Sequence, residues 1–203
     1  MDISPLPGMG GLAFKQQGWE EMGNVRAILF VSMMAGLFLA VQPPVAAANG
    51  LTDAVRNELS RVLRGDPIAR CMKEEDNATV CIGRISSACE QNPLVRGFQE
   101  VAFCVTLEYE AWDTHLNQAY GKLRRRLAAE DAEDGRLEGK SPSSRTGNLK
   151  EMQRGWIRYR DGRCSFERSL IGTIAWSAID ATRCMTRLTG EQVIYLMSYL
   201  DLD

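Results

Sequence analysis

Histidine is nearly missing from this 203-residue chain, which contains only His115. Enzymes that activate a serine or cysteine need an oriented imidazole beside the nucleophile, so a single histidine leaves little room for that chemistry. His115 adjoins Leu116 on the flank of a predicted helix, and we expect it to be a solvated surface residue. The sequence also lacks a Walker A loop, a Gly-rich dinucleotide turn and the H-E-x-x-H and G-x-S-x-G motifs.

Carboxylates and metal ligands are not grouped for catalysis either. Glu108, Glu110 and Asp113 are neighbours on one predicted helix, whereas a glycosidase needs two carboxyl groups that face each other across a cleft. The chain has no C-x-x-C pair, and His115 lies far in sequence from any cysteine pair, which disfavours a zinc site. We therefore predict that the chain is not an enzyme and binds neither a metal nor a cofactor.

A charge excess of either sign is also absent. Of the 24 Lys and Arg and the 26 Asp and Glu, two and three respectively precede Asn49, so the rest of the chain carries a net charge near −1. This balance provides no overall field for nucleic acid or for an anionic membrane. We predict no nucleic-acid partner.

Long apolar runs are limited to residues 27–41, an uncharged stretch with a basic residue before it and small residues after it. These are the parts of a secretory signal peptide, and the run is shorter than the roughly 20 residues of a spanning helix. We predict that residues 1–48 are an upstream extension plus signal peptide, with Met22 as an alternative start and cleavage after Ala48. An uncleaved membrane anchor is the alternative. The predicted mature domain, 49–203, is then periplasmic or secreted, with no stable membrane anchor.

All six cysteines lie within the predicted mature domain. An even number of cysteines in an oxidising compartment predicts disulfides, each stabilising by about 2–4 kcal/mol. Six cysteines allow fifteen pairings, and sequence alone does not choose among them. Helical hairpins favour near neighbours that flank a turn, namely Cys71 with Cys81, Cys89 with Cys104, and Cys164 with Cys184.

Apolar residues recur at helical spacing through most of the predicted mature domain. We predict an all-α fold of disulfide-stapled helical hairpins around one long helix, in a single domain. The long helix is expected from about Arg96 to Ala129. Shorter helices are expected before it, over 51–64, from an Asp66 cap to about Glu75, and from a Thr79 cap to about Glu90.

The segment after the long helix, residues 130–147, is charged and rich in Gly and Ser, which predicts an exposed loop. Thr189 and Gln192 have the spacing of a capping box, which predicts the start of a helix. The remaining elements are predicted in this order: a helix from an Asn148 cap, a loop or irregular turn over 169–177, a short helix over about 178–187 and a final helix to about Leu200.

Two polar segments form the candidate binding face. Asp113 and Asn117 are four residues apart and share a helix face, along the edge of an apolar stripe. A second segment around Trp156 has the same character, and we expect Asp113 to accept a hydrogen bond from Arg160 or from a backbone end of the facing helix. The complete face is Asp113, Asn117, Tyr120, Trp156, Arg160 and Asp161.

Taken together, these segments resemble the LprI-type family of lysozyme-inhibitor-like domains. The resemblance covers about residues 71–200. It rests on a cysteine pair, a D-x-x-L-N-x-x-Y-x-x-L segment, an L-K-x-x-Q-x-x-W-I-x-Y-R-D-x-x-C segment, and a last cysteine followed by T-x-x-Q. In this chain those residues are Cys89 and Cys104; Asp113, Leu116, Asn117, Tyr120 and Leu123; Leu149, Lys150, Gln153, Trp156, Ile157, Tyr159, Arg160, Asp161 and Cys164; and Cys184, Thr189 and Gln192.

The resemblance implies an exported helical domain that is not itself an enzyme and that in some members inhibits lysozyme. Our first hypothesis is therefore a periplasmic binding protein that inhibits lysozyme or a related cell-wall hydrolase. An envelope structural or partner-binding module without lysozyme inhibition is the alternative. For an inhibitor, the most available binding loops are 130–147, with Lys140 and Arg145, and 169–177, with Trp176.

Overall fold

The computed structural model describes residues 51–137, 144–171 and 174–200. These ranges contain helices and no strand, so the all-α prediction is confirmed. The predicted signal peptide, its cleavage site after Ala48, and Lys140 lie outside the described residues. The helices are α1 (Asp53–Leu59), α2 (Pro67–Glu74), α3 (Arg84–Glu90), α4 (Phe98–Leu137), α5 (Arg145–Ile171) and α6 (Ile174–Ser198), with short 3-10 helices at Ser60–Leu63 and Ala78–Cys81.

The main core lies where α4 packs against α6 and against the shorter helices. Trp112 of α4 and Val193 and Leu196 of α6 are fully enclosed. Buried residues from α2, α3 and α5 complete the same cluster: Ile68, Ile85 and Leu149. Trp112, Leu116 and Leu123 recur on α4 at the spacing of a single helical stripe. This stripe packs into the core that α4 shares with the other helices.

Three disulfides staple the helices, in the near-neighbour pairing that hairpins favour. Their Cα–Cα distances are 5.8 Å for Cys71–Cys81, 5.5 Å for Cys89–Cys104 and 5.6 Å for Cys164–Cys184. The first joins α2 to a 3-10 helix, the second joins α3 to α4, and the third joins α5 to α6. Each therefore closes one consecutive pair of elements.

The loop predicted over 130–147 is wrong in its first part, because α4 continues to Leu137. A pair within the helix, Arg126 Nε to Glu130 Oε1 at 3.0 Å, supports the continuation. The predicted Asn148 cap is also wrong, since α5 begins at Arg145. The Ser144 hydroxyl instead accepts the Gly147 N–H at 3.1 Å, in the manner of an N-cap.

The predicted break near Thr189 is a second correction. Helix α6 runs without interruption from Ile174 to Ser198, so the capping-box spacing of Thr189 and Gln192 does not start a helix. Thr189 is fully buried in the middle of α6, and Gln192 bonds across to α5. The predicted loop at 169–177 is wrong as well, because α5 extends to Ile171 and α6 begins at Ile174. Tertiary packing here outweighs the local signal.

Of the early helix caps, one is confirmed and one is wrong. Asp66 caps α2 as predicted, accepting the Ala69 N–H at 3.1 Å. Thr79 does not cap α3; its N–H and hydroxyl both donate to Asn77 Oδ1, at 3.1 and 2.7 Å. Helix α3 starts later, after Gly83, whose φ of +93° is readily available only to glycine.

Candidate functional site

The candidate site is a groove between α4 and α5 with a volume of about 350 Å³, called here the α4–α5 groove. It brings together five of the six residues predicted for the binding face. Asp161 is the exception, since its exposed side chain pairs with Arg160 at the edge. The lining residues are Asp113, Leu116, Asn117, Tyr120, Lys150, Gln153, Arg154, Trp156, Ile157 and Arg160.

The α4 wall of the groove is organised by residues one helical turn apart. Asn117 Nδ2 donates to Asp113 Oδ2 at 2.9 Å, as side chains at i and i+4 can. Buried Leu116 and half-buried Tyr120 anchor this wall in the core. The expected hydrogen bond from Arg160 to Asp113 is not what the structure shows, because Asp113 bonds within its own helix.

The α5 wall is organised around Arg160, whose side chain is mostly enclosed. Its Nε and Nη2 each lie 2.9 Å from Asp161 Oδ1, and its guanidinium lies 4.9 Å from the centroid of the Trp156 ring, in a cation–π contact. Burial raises the pKa of the neighbouring Tyr109 hydroxyl, and the positive charge of Arg160 offsets part of that rise. Arg160 therefore holds the Trp156 ring in place at the groove.

A buried amide pair connects the lining of the groove to α6. Gln192 of α6 donates from Nε2 to Gln153 Oε1 of α5 at 3.0 Å, and the same Nε2 lies 3.6 Å from the sulfur of Met152. Both amides are buried, so the bond satisfies polar groups that would otherwise be costly to enclose. It also links the groove to α6, which explains why Gln192 is unavailable as a helix cap.

Cationic donors outnumber carboxylates in the lining of the groove. Lys150, Arg154 and Arg160 contribute positive charge, and Asp113 contributes one negative charge. Arg154 Nη1 lies 2.9 Å from Glu151 Oε1, but both side chains are more than half exposed, and such a pair has little net stability. Arg154 can therefore exchange that partner for a carboxylate of a ligand or a protein.

Glu108 is a structural residue that the sequence did not indicate. Its fully buried carboxylate accepts the N–H groups of Gly83 at 2.6 Å and Ser86 at 2.8 Å, together with Trp112 Nε1 at 3.2 Å. It thus provides, from a different helix, an acceptor for N–H groups at the start of α3 that have no partner within that helix. Its position four residues before Trp112 is the only sequence signal that could have suggested this.

His115 is not the solvated residue that we expected. Its side chain is only 15% exposed, and its Nε2 lies 2.9 Å from Asp66 Oδ1. The carboxylate that caps α2 therefore also holds the imidazole of α4. His115 therefore has a partner at the start of α2, outside the α4–α5 groove.

The two loops considered for binding also differ from expectation. Arg145 is in the first turn of α5, where its guanidinium binds Asp134 of α4 and lies 3.7 Å from Glu130 Oε2. Trp176 is in the first turn of α6 and packs edge-on against Phe98, with ring centroids 5.6 Å apart. Arg145 is therefore already engaged in ion pairs, whereas Trp176 keeps half of its surface exposed.

Consecutive helical hairpins, three disulfides and a cation-lined groove define a small disulfide-stabilised helical domain, a type suited to oxidising, extracytoplasmic compartments. The chain belongs to the lysozyme inhibitor LprI family, whose model matches residues 89–196. The matched segment contains both walls of the α4–α5 groove and two of the disulfides. It leaves out α1, α2 and the Cys71–Cys81 disulfide.

A curated relative extends the similarity but carries no assigned function. The chain is 26% identical over 137 residues to an uncharacterized 17.7 kDa protein in the puhA 5′ region of Rhodobacter capsulatus, covering 66% of this chain and 85% of that protein. No solved structure matches the chain. Within the described residues, no helix is long and apolar enough to cross a membrane, and no three His, Cys, Asp or Glu side chains are placed to hold a metal ion.

Proposed function

We propose that this protein is exported, loses residues 1–48 and acts as a helical binding protein that inhibits lysozyme or a related cell-wall hydrolase. The observation that carries the proposal is the family match over residues 89–196, which spans the whole α4–α5 groove. The three disulfides support an oxidising destination. Periplasm or external medium is the compartment we propose.

The α4–α5 groove is the contact face in this proposal. Lysozymes cleave glycosidic bonds with a pair of carboxyl side chains in a cleft, so their substrate sites attract cationic donors. Lys150 and Arg154 are exposed at the groove and are free to turn toward a partner. Trp156 adds a half-buried aromatic surface held by Arg160, a combination that interface centres often contain.

A muralytic assay with the exported protein tests the proposal directly. We expect dose-dependent slowing of cell-wall clearing by at least one lysozyme type at up to about 50 μM, which detects complexes of micromolar Kd. Absence of inhibition across several lysozyme types would contradict it. A pull-down from envelope extract that repeatedly returned one non-hydrolase partner would then favour a partner-binding module. Sequencing the N-terminus of the exported protein tests cleavage after Ala48.

Charge reversal in the groove tests the contact face separately. Arg154→Glu replaces an exposed donor with a carboxylate, and we expect it to weaken inhibition roughly tenfold or more, since like charges across an interface cost several kcal/mol. Arg124→Glu is the matched control, because Arg124 is exposed on α4 and is not among the groove residues. Equal inhibition by both variants would place the contact face elsewhere.

A further inference from the structure

The exposed apolar side chains of this protein are concentrated where α5 ends and α6 begins. Phe166, Leu170, Ile171 and Trp176 are 62%, 68%, 42% and 51% exposed. We call these four residues the apolar tip. Leaving this much apolar surface in water is unfavourable. Its concentration at one place therefore indicates a contact surface that is covered when the protein acts.

The side chains of the apolar tip do not all lie on one helix face. Phe166 and Leu170 are four residues apart and share one face of α5, whereas Ile171 is rotated by about 100° around the helix. Trp176 belongs to α6 and is held against Phe98 at the start of α4. A rigid protein surface would need a flat or grooved set of side chains to match, but fluid lipid chains accept side chains that point in several directions.

The charge around the apolar tip favours an anionic surface. In the last turns of α5, Arg163 and Arg168 lie close in sequence to Phe166 and Leu170. The acidic residue among them, Glu167, is offset by Arg163 at 2.9 Å and Arg187 at 3.5 Å. If a second copy of the chain covered the tip, these arginines would face the same arginines of the other copy and repel them. Phospholipid phosphates carry the opposite charge and would pair with them.

We propose that the apolar tip inserts into the surface of an anionic phospholipid bilayer and holds the exported protein there as a peripheral membrane protein. Phe166, Leu170 and Ile171 enter the boundary of the acyl chains, and Trp176 lies at the level of the headgroups, where tryptophan is favoured. Arg163 and Arg168 contact the phosphates. The overall charge near −1 supplies no long-range attraction, so binding depends on insertion. This inference does not rest on the proposed inhibition of a hydrolase.

Vesicle flotation of the exported protein tests the proposal, once sequencing shows that the apolar run 27–41 has been removed. We expect the protein to float with vesicles of phosphatidylglycerol and phosphatidylethanolamine. The double variant Phe166→Ser with Leu170→Ser should lower the partition coefficient roughly tenfold or more. Both side chains are exposed, so the fold and the Cys164–Cys184 disulfide should persist, as circular dichroism and peptide mapping can verify.

Two matched controls separate insertion and charge from general effects. Tyr195→Ser removes an exposed aromatic side chain on α6, about 28 Å along the helix from Trp176, and should leave flotation unchanged. Arg168→Glu should weaken binding to anionic vesicles and leave the weaker binding to phosphatidylcholine vesicles unchanged. Arg124→Glu, at the same change in net charge, should have little effect on either.

Three results would overturn the proposal. The first is failure of the exported protein to float with any vesicle, or equal flotation of the double variant. The second is a dimer in solution that the double variant converts to a monomer, because a second copy would then cover the apolar tip. The third is loss of hydrolase inhibition in the double variant without lipid present, which would make the tip a protein contact. Loss of inhibition alone in groove variants concerns the proposed function and leaves this one standing.

Discussion

The imidazole Nε2 of His115 lies 2.9 Å from the Oδ1 of Asp66, a residue 49 positions earlier in the chain. The same Oδ1 accepts the Ala69 N–H at the start of α2. Asp66 adopts a left-handed backbone conformation with φ of 49°, which is uncommon for a residue with a side chain. Its carboxylate therefore links α2 to α4 at a residue whose backbone conformation is itself unfavourable.

Replacing His115 should reveal the strength of that link. His115→Ala is expected to lower the free energy of unfolding by about 1 kcal/mol, because a partly buried hydrogen bond is lost. Asp66→Ala should cost more, since it removes the helix cap as well. Urea unfolding of both single variants and the double variant gives their coupling energy. A coupling energy of zero would show that the two residues do not interact in solution.

Glu108 is expected to be among the most sensitive positions in the domain. Glu108→Ala leaves the buried N–H groups of Gly83 and Ser86 and the Trp112 indole without an acceptor, which should cost about 3–5 kcal/mol. Glu110→Ala, two residues away on the exposed side of α4, should change stability by less than about 0.5 kcal/mol. Chemical denaturation measures both. Similar midpoints for the two variants would contradict the role assigned to Glu108.

How far sequence predicts this molecule depends on whether the signal is local or tertiary. The stripe through Trp112, Leu116 and Leu123 predicted the long helix, because the spacing of apolar residues in the sequence indicates which helix face is buried. The near-neighbour disulfides followed from the short connections that they flank. Thr189 and Gln192 led to a wrong prediction. Their capping-box spacing is visible in the local sequence, whereas their burial against neighbouring helices depends on tertiary packing.

The candidate site divides in the same way. Five of the ten residues of the α4–α5 groove were predicted to share one face, since Asp113 and Asn117 share a helical face and the Trp156 segment has the same pattern. The partners within that face were not, because the sequence suggested Asp113 as the acceptor for Arg160, whereas in the folded chain Arg160 pairs with the adjacent Asp161. Glu108 and His115 were missed because Gly83, Ser86 and Asp66, the partners that link them to other elements, are 22 or more residues away in sequence.

Gly190 should tolerate no larger side chain. A Cβ at this position of α6 would lie 2.7 Å from Ile82 Cγ1 and 2.8 Å from Ile82 Cδ1, closer than packed atoms allow. Gly190→Ala is therefore expected to destabilise by about 1–3 kcal/mol through overpacking, despite the better helix propensity of alanine. Gly162→Ala is the control, because nothing lies within 4 Å of the added Cβ. It should stabilise α5 by up to about 1 kcal/mol; thermal melts that rise for both variants would refute the close approach.

The hydrogen bonds of Asp131 to the start of α5 should make the stability of the fold depend on pH. The Ser144 hydroxyl, followed by the Thr146 N–H, holds the pKa of the Asp131 carboxyl well below its usual range. Both donate to Asp131 Oδ2, at 2.6 and 3.0 Å. A folded pKa below the unfolded value means that the ionised carboxylate stabilises the fold above the unfolded pKa of about 3.9, and that this stability is lost as the pH falls toward the folded pKa.

Asp131→Asn should therefore be less stable than the wild type at pH 7, and the difference should shrink as the pH is lowered below about 4. Urea unfolding at a series of pH values measures it. Glu133→Gln is the control, because Glu133 is exposed on the same turn of α4 and its ion pair with Arg136 stays within that helix. A difference between Asp131→Asn and the wild type that stayed constant from pH 7 to pH 2 would show that the charge of Asp131 does not stabilise the start of α5.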